Sequence, residues 1–289
     1  MSSMGQRLLH EVGLRQGTYF RVSDVGHDVC LAWLSSLARP DLRGRAKLMP
    51  ENAILAVISQ DCDIACRTDG MDPCVELYVL RPIRDRDVFH GNQFVQSVRK
   101  LQLNIEGQWY EAKAEAAVTV DKGELLEVLR GVELAKMPEI DRQCFVRWRT
   151  NRYSRTALPD KFNEHLFKVL PEALSRLDGI AKVEGDEGRS YIRALYVWLD
   201  PVSEADYYDF ELFALLRNDV GDEVLAAIQD AVEEFAERLS DISGFNDLSE
   251  MYADRDGQTA VSYLTNFVKL NVDAESLKSG DLDTGVDPV

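Results

Sequence analysis

An acid, a thiol and a second acid, Asp61-Cys62-Asp63, follow the apolar run Ile54 to Ile58 through Ser59 and Gln60. Carboxylates two positions apart, with Glu76 in the next apolar segment, are hard oxygen donors of the kind that gather Mg²⁺ for phosphoryl transfer. Cys62 suggests a different chemistry, attack by a thiolate, which needs a base or a cation close by. No motif ties His10, His27, His90 or His165 to it, and its two aspartate neighbours disfavour the thiolate. Asp61, Cys62, Asp63 and Glu76 are therefore the catalytic candidates, with Gln60 turned towards a ligand. The competing assignment is structural: the two aspartates accept backbone N–H groups in a turn, and the cysteine is buried and inert beneath the sheet. Glu76-Leu77-Tyr78 lacks the lysine of a PD-(D/E)xK nuclease, so no metal ligand is assigned and Mg²⁺ stays an alternative. Cys62, Cys66 and Cys74 lie at C-x3-C-x7-C, without the tight pairs of a structural zinc site.

A second constellation is RQCFVRWRTNRYSR, where Arg142, Arg147, Arg149, Arg152 and Arg155 alternate with Phe145, Trp148 and Tyr153. Guanidiniums match phosphate geometry and aromatic faces stack on bases. The ligand-binding set is thus Gln60, Arg147, Arg149, Arg152, Tyr153 and Arg155. Read as a strand, the segment puts Arg147 and Arg149 on one face, with Arg152 and Arg155 together in a following turn or helix. The alternative partners for these arginines are the chain's own carboxylates.

Charge decides which ligands are admissible. The net charge is −17, yet residues 1–200 hold 28 Lys and Arg against 29 Asp and Glu, a balance of −1. Residues 201–289 hold 5 against 21, a balance of −16. The first two thirds can therefore meet nucleic acid or another phosphate-bearing ligand. The acidic stretch 222–239 suits either solvent or a basic protein partner.

These residues must be positioned by a chain of 289 residues, 45% apolar, long enough for two domains. No apolar run reaches the roughly 20 residues of a membrane span. The opening MSSMGQRLLHEVG has no leader-like pattern, and five cysteines suit reduced thiols, so a cytoplasmic location is expected. Short strands are expected at 14–22, 53–59, 74–81, 108–112 and 115–121, with Val75, Leu77 and Val79 on one face of the third and Glu76 and Tyr78 on the other. A helical insertion over DVCLAWLSSLARPDLRG and a helix over GELLEVLRGVEL accompany them. Beyond residue 140, PDKFNEHLFKVLPEALSRL reads as a helix. YIRALYVWLDP and YYDFELFALL come next as a hairpin through PVSEAD. DEVLAAIQDAVEEFAERL then reads as a helix with Val224, Leu225, Ile228, Val232, Phe235 and Leu239 on one stripe. The expected fold is α+β: a small β-barrel over 1–138, an α+β domain with an Arg-rich lead-in and an acidic helix over 139–272, ferredoxin-like in its hairpin and helix, and a disordered tail over 273–289.

Two stretches taken together, SQDCDI before PCVELYVLRPI and RYSRTALPDKF after VTVDKGELL, resemble a family of uncharacterised bacterial proteins. Its members carry a Ser/Thr-Gln-x-Cys-Asp motif after a strand, then an Arg-Tyr/Phe-x-Arg segment leading to Pro-Asp-Phe. The order of the Gly17-containing strand, LAVIS, VELYVLRPI and AAVTVDKGEL is similar to that of PemK/MazF-type growth-inhibitor toxins, which are SH3-like barrels that cleave RNA without metal. Where those toxins carry an Arg-containing loop after the first strand, this chain has VSDVGHD. The resemblance implies an SH3-like barrel and an accessory or effector protein of a toxin-type or phage-defence (antiviral) module, acting on nucleic acid.

Overall fold

Every residue from Ala53 to Ile58 is buried, which requires a strand covered on both faces. In the computed structural model, which describes residues 3–68, 70–89, 97, 99–154, 158–183 and 190–270, that is its environment. Strands β1 (Thr18–Arg21), β2 (Ile54–Val57), β3 (Cys74–Pro82), β4 (Lys100–Ile105), β5 (Gln108–Asp121) and β6 (Ala135–Lys136) form one sheet in the order β4-β5-β3-β2-β1-β6. All its pairings are antiparallel, and the sheet curls into an open half-barrel.

Alternation sorts its side chains onto two faces. Phe20, Leu55, Val57, Leu77, Val79, Val118 and Val120 join a core shared with Leu8, Trp33, Leu34 and Leu125. These come from the N-terminal segment, which includes α1 (Met4–Arg7), from the insertion that carries α2 (Val22–Val25) and α3 (His27–Trp33), and from a later helix. The opposite face, with Tyr19, Ile54, Ala56, Tyr78, Leu80, Leu101 and Tyr110, packs against Phe145 and Trp148. A fully buried Leu or Phe contributes about 1.5–3 kcal/mol, so each cover is a large stabilising term. Between strands, α4 (Asp61–Ile64) follows β2, α5 (Lys122–Val128) follows β5, and α6 (Glu139–Ser154) follows β6.

Two expectations change here. The strands at 108–112 and 115–121 are one 14-residue strand, β5, which pairs with β4 through its first half and with β3 along most of its length. Pairing on both sides overrides the weak strand propensity of Ala112-Lys113-Ala114-Glu115-Ala116. The hairpin partner β4, missed in the sequence, turns into β5 through Glu106 (φ +53) and Gly107 (φ +81), the two positive angles of a type I′ turn. The Arg-bearing segment is a helix, not a strand. Glu139 and Asp141 complement its N-terminal dipole, and Glu139 bonds Arg142 and Gln143 one turn on. The chain divides after Arg152, so α6 belongs with the strands before it rather than opening the second domain.

The second unit is α+β as well. Strands β7 (Ile192–Asp200) and β8 (Tyr208–Leu216) form the expected hairpin, preceded by α7 (Asp160–Ile180) and followed by α8 (Asp222–Ser240). Phe162, Leu166, Leu170, Leu174 and Leu177 of α7 and Ile228, Val232, Phe235 and Leu239 of α8 share a core with Val197, Leu199, Phe210 and Leu212. Short strands β9 (Phe245–Asp247) and β10 (Ala253–Arg255) return parallel to β8 at its two ends, and β11 (Val268–Lys269) borders β7. Among the described residues no helix is long and apolar enough to cross a membrane. The tail expected at 273–289 lies outside the described residues.

Candidate functional site

Just beyond the end of β2, Ser59 ties the exit of that strand to β3: its Oγ accepts the Glu76 N–H at 2.9 Å. The chain then turns at once into α4. The N–H groups of Asp63 and Ile64 donate to the Gln60 carbonyl at 3.0 and 2.9 Å, and the Ala65 N–H to the Asp61 carbonyl at 2.9 Å. A helical turn sends Asp61 and Asp63 about 200° apart, so the two carboxylates, which a strand would have put on one side, do not converge. Asp61 accepts the Gln16 N–H at 2.8 Å and the Arg15 guanidinium at 3.0 Å. Asp63 stays exposed, within 3.5 Å of the Cys62 thiol. Cys62 is exposed rather than buried beneath the sheet, and its thiol contacts the Gln60 side-chain oxygen and Asp63 at 3.5 Å. Both neighbours are hydrogen-bond acceptors, and neither is a cation. Cys30, by contrast, is buried and its pKa is pushed up to about 12 by desolvation.

From Asp61 a polar chain runs to α6. Gln16 donates from its side chain to the Ile58 carbonyl at 2.9 Å and accepts from Arg142 at 3.0 Å. Arg142 also holds Glu139 through two bonds of 2.8 and 2.6 Å. These, with the bond from Gln143, bring the Glu139 carboxyl down to about 2. The stem of Arg142 lies against Gly17, whose φ is +83; a Cβ there would stand 2.5 Å from Arg142 Cγ. Glycine is therefore required twice at this position, for the backbone and for the arginine stem beside it.

Two helical turns along, about 10 Å, Arg149 donates to Glu76 at 3.3 Å and lies 5.9 Å from the centre of the Tyr78 ring. Glu76 and Tyr78 share the face of β3 that α6 covers, as alternation predicts. Tyr78 meets Phe145 and Trp148 edge to face, and those two rings stack on each other. The Arg149–Glu76 pair is 27% and 35% exposed, and a pair so placed contributes about 0–1 kcal/mol.

Arg147 does not share a face with Arg149, because two residues on a helix are about 200° apart. It is exposed and has no ion-pair partner among the described residues. The side chains of Arg152 and Tyr153, and all of Arg155, lie outside the described residues. Among the described residues no group of three His, Cys, Asp or Glu side chains could hold a metal ion. A cation shared by Asp61 and Glu76 would first have to displace a guanidinium from each.

Of the sequence candidates, the structure pairs Glu76 with Arg149 and brings Asp61 to Arg15 and Gln16 and Asp63 to Lys122, three partners that sequence reasoning missed. Arg142 had a signal, lying seven residues before Arg149 on what proves to be a helix. Lys122 is fully buried and donates to the Asp63 carbonyl at 2.6 Å. Set beside models of protein families, curated proteins and solved structures, the chain matches none of them.

Proposed function

We propose that the first unit binds a phosphate-bearing ligand, nucleic acid above all, along the rim where α6 meets the Gln60–Asp63 turn. The observation that carries this reading is that Arg15, Arg142 and Arg149 are each oriented by a carboxylate and each still open to solvent, at 46%, 33% and 27% exposed. Half-exposed ion pairs are weak, and an incoming phosphate with bidentate geometry competes well for a guanidinium already aligned. Arg147, exposed and without an ion-pair partner among the described residues, adds a positive charge on the same helix. The strand order similar to that of PemK/MazF-type toxins is the basis for placing this role in a cytoplasmic accessory or effector protein of a toxin-type or phage-defence module.

The finer fold reading, an SH3-like barrel and a ferredoxin-like half, belongs to the same proposal. The curled antiparallel sheet of the first unit and the hairpin with helices of the second support it. Direct parallel pairing of β10 with β8 departs from ferredoxin order.

The test is a salt titration of binding to a fluorescein-labelled oligothymidylate. Three phosphate contacts give a log–log slope of about −2, so affinity falls about twentyfold between 50 and 200 mM salt. Arg142→Ala/Arg149→Ala flattens that slope. No binding at low salt, or a slope unmoved by the double variant, refutes the reading.

A second reading has its own observation. Glu223, Asp230, Glu233 and Glu237 are exposed on α8 while its apolar stripe faces the core. That surface suits a basic protein partner, and an adaptor of this kind has no affinity for oligonucleotides at any salt.

A further inference from the structure

Lys122 is wholly buried and is the first residue of α5, where the helix dipole disfavours a cation. An ammonium withdrawn from water is costly, and an apolar side chain of similar volume in its place is often neutral or stabilising. What the lysine supplies and a methionine cannot is a donor. That donor meets the Asp63 carbonyl at 2.6 Å, in the middle of the turn that carries Gln60, Asp61, Cys62 and Asp63. The turn is also held from its buried side by Ser3, whose hydroxyl donates to the Cys66 carbonyl at 3.1 Å. Gly5 lies so close that a Cβ would stand 1.9 Å from the Ile64 oxygen. Its outer side is the one where Asp61 meets Arg15 and Gln16.

We propose that Lys122 is a positioning residue of the phosphate-binding rim. By fixing the Asp63 carbonyl it sets the direction of α4. Asp61 is thereby aimed at Arg15 and Gln16, and Gln16 in turn aligns Arg142. This inference rests on the reading of the rim given above, and the two are separable because one readout needs no ligand.

Hydrogen exchange on the full chain supplies that readout. In Lys122→Met the amides of Ile64 and Ala65 exchange about tenfold faster than in the parent, while those of β2 and β3 keep their parent rates. Affinity for the labelled oligothymidylate falls about fivefold as the guanidiniums lose their alignment. Lys122→Arg, which keeps a cationic donor, recovers part of both. Parent exchange rates at Ile64 and Ala65 in Lys122→Met overturn the assignment, and so does a loosened turn with undiminished affinity. Should Lys122→Met fail to fold, the parent decides by heteronuclear NMR. An ammonium shut from water and bonded to a carbonyl shows its Nζ protons at neutral pH, and a silent Lys122 overturns the assignment. A parent that binds no oligothymidylate refutes the phosphate reading alone and leaves the anchoring of the turn standing on the exchange data.

Discussion

Gly17→Ala is the perturbation that joins the fold to the rim most directly. Gly17 donates its N–H to the Val57 carbonyl at 2.9 Å and accepts the Met137 N–H at 3.0 Å, so its backbone cannot relax freely. At φ +83 an alanine pays a left-handed penalty of about 1–2 kcal/mol. Its methyl group would stand 2.5 Å from Arg142 Cγ and 2.9 Å from Cδ, distances at which the arginine must leave its rotamer. That movement costs about 0.5–1.5 kcal/mol, and it also breaks the alignment with Gln16. The total is about 1.5–3.5 kcal/mol, or roughly 3–14 °C in the melting temperature of the first unit.

Gly13→Ala is the control, because φ is +79 there and no atom lies within 4 Å of the added methyl. It loses only the backbone part, about 1–2 kcal/mol. Chemical denaturation of both variants, and of Gly17→Ala/Arg142→Ala, gives the comparison. The double variant regains about 1 kcal/mol of the loss expected from additivity, because the crowded arginine is gone. Equal losses for Gly13→Ala and Gly17→Ala, with no coupling to Arg142, would refute the argument that this glycine makes room for the guanidinium.

Other outcomes rest on the same geometry. Arg149→Ala lowers stability by less than about 1 kcal/mol, as a half-exposed pair implies, while weakening oligothymidylate binding about fivefold; a large stability loss with unchanged affinity would make the Glu76 pair purely structural. Because the Glu139 carboxyl is held at about 2, its share of stability is complete above the ordinary glutamate range and disappears as pH falls through about 2. An NMR titration of Glu139 with a midpoint near the ordinary value would contradict the Arg142 geometry. Cys62, exposed, reacts with a thiol reagent in the native protein, whereas Cys30, buried with its pKa pushed up to about 12, reacts only on unfolding; similar rates for the two would show that the α4 turn or the core is misassigned.

What could be read from the sequence was whatever repeats at short range. The alternation of β3 and four of the six stripe residues of α8, Ile228, Val232, Phe235 and Leu239, fall in the core as read, with Val224 and Leu225 only partly buried at its edge, because periods of 3.6 and 2 are local properties. The α6 segment escaped that reading. Val146 and Trp148 alternate with Arg147 and Arg149 as they would in a strand, and the segment's few apolar residues mask the helical repeat. The rim escaped for a different reason. Gln16 and Arg142 are 126 residues apart, Lys122 and Asp63 are 59 apart, and Arg149 and Glu76 are 73 apart. No spacing rule links such positions, since the sheet register, not the sequence, brings them together.

The placement of α6 also affects the chain while it is being made. All the long strands of the first sheet are synthesised by Asp121, but Phe145 and Trp148, which cover one of its faces, come 24 and 27 residues later. At ordinary translation rates that delay is roughly 1–5 s. Until those two side chains are made, Tyr78, Leu80 and Leu101 lack the cover that the finished fold gives them.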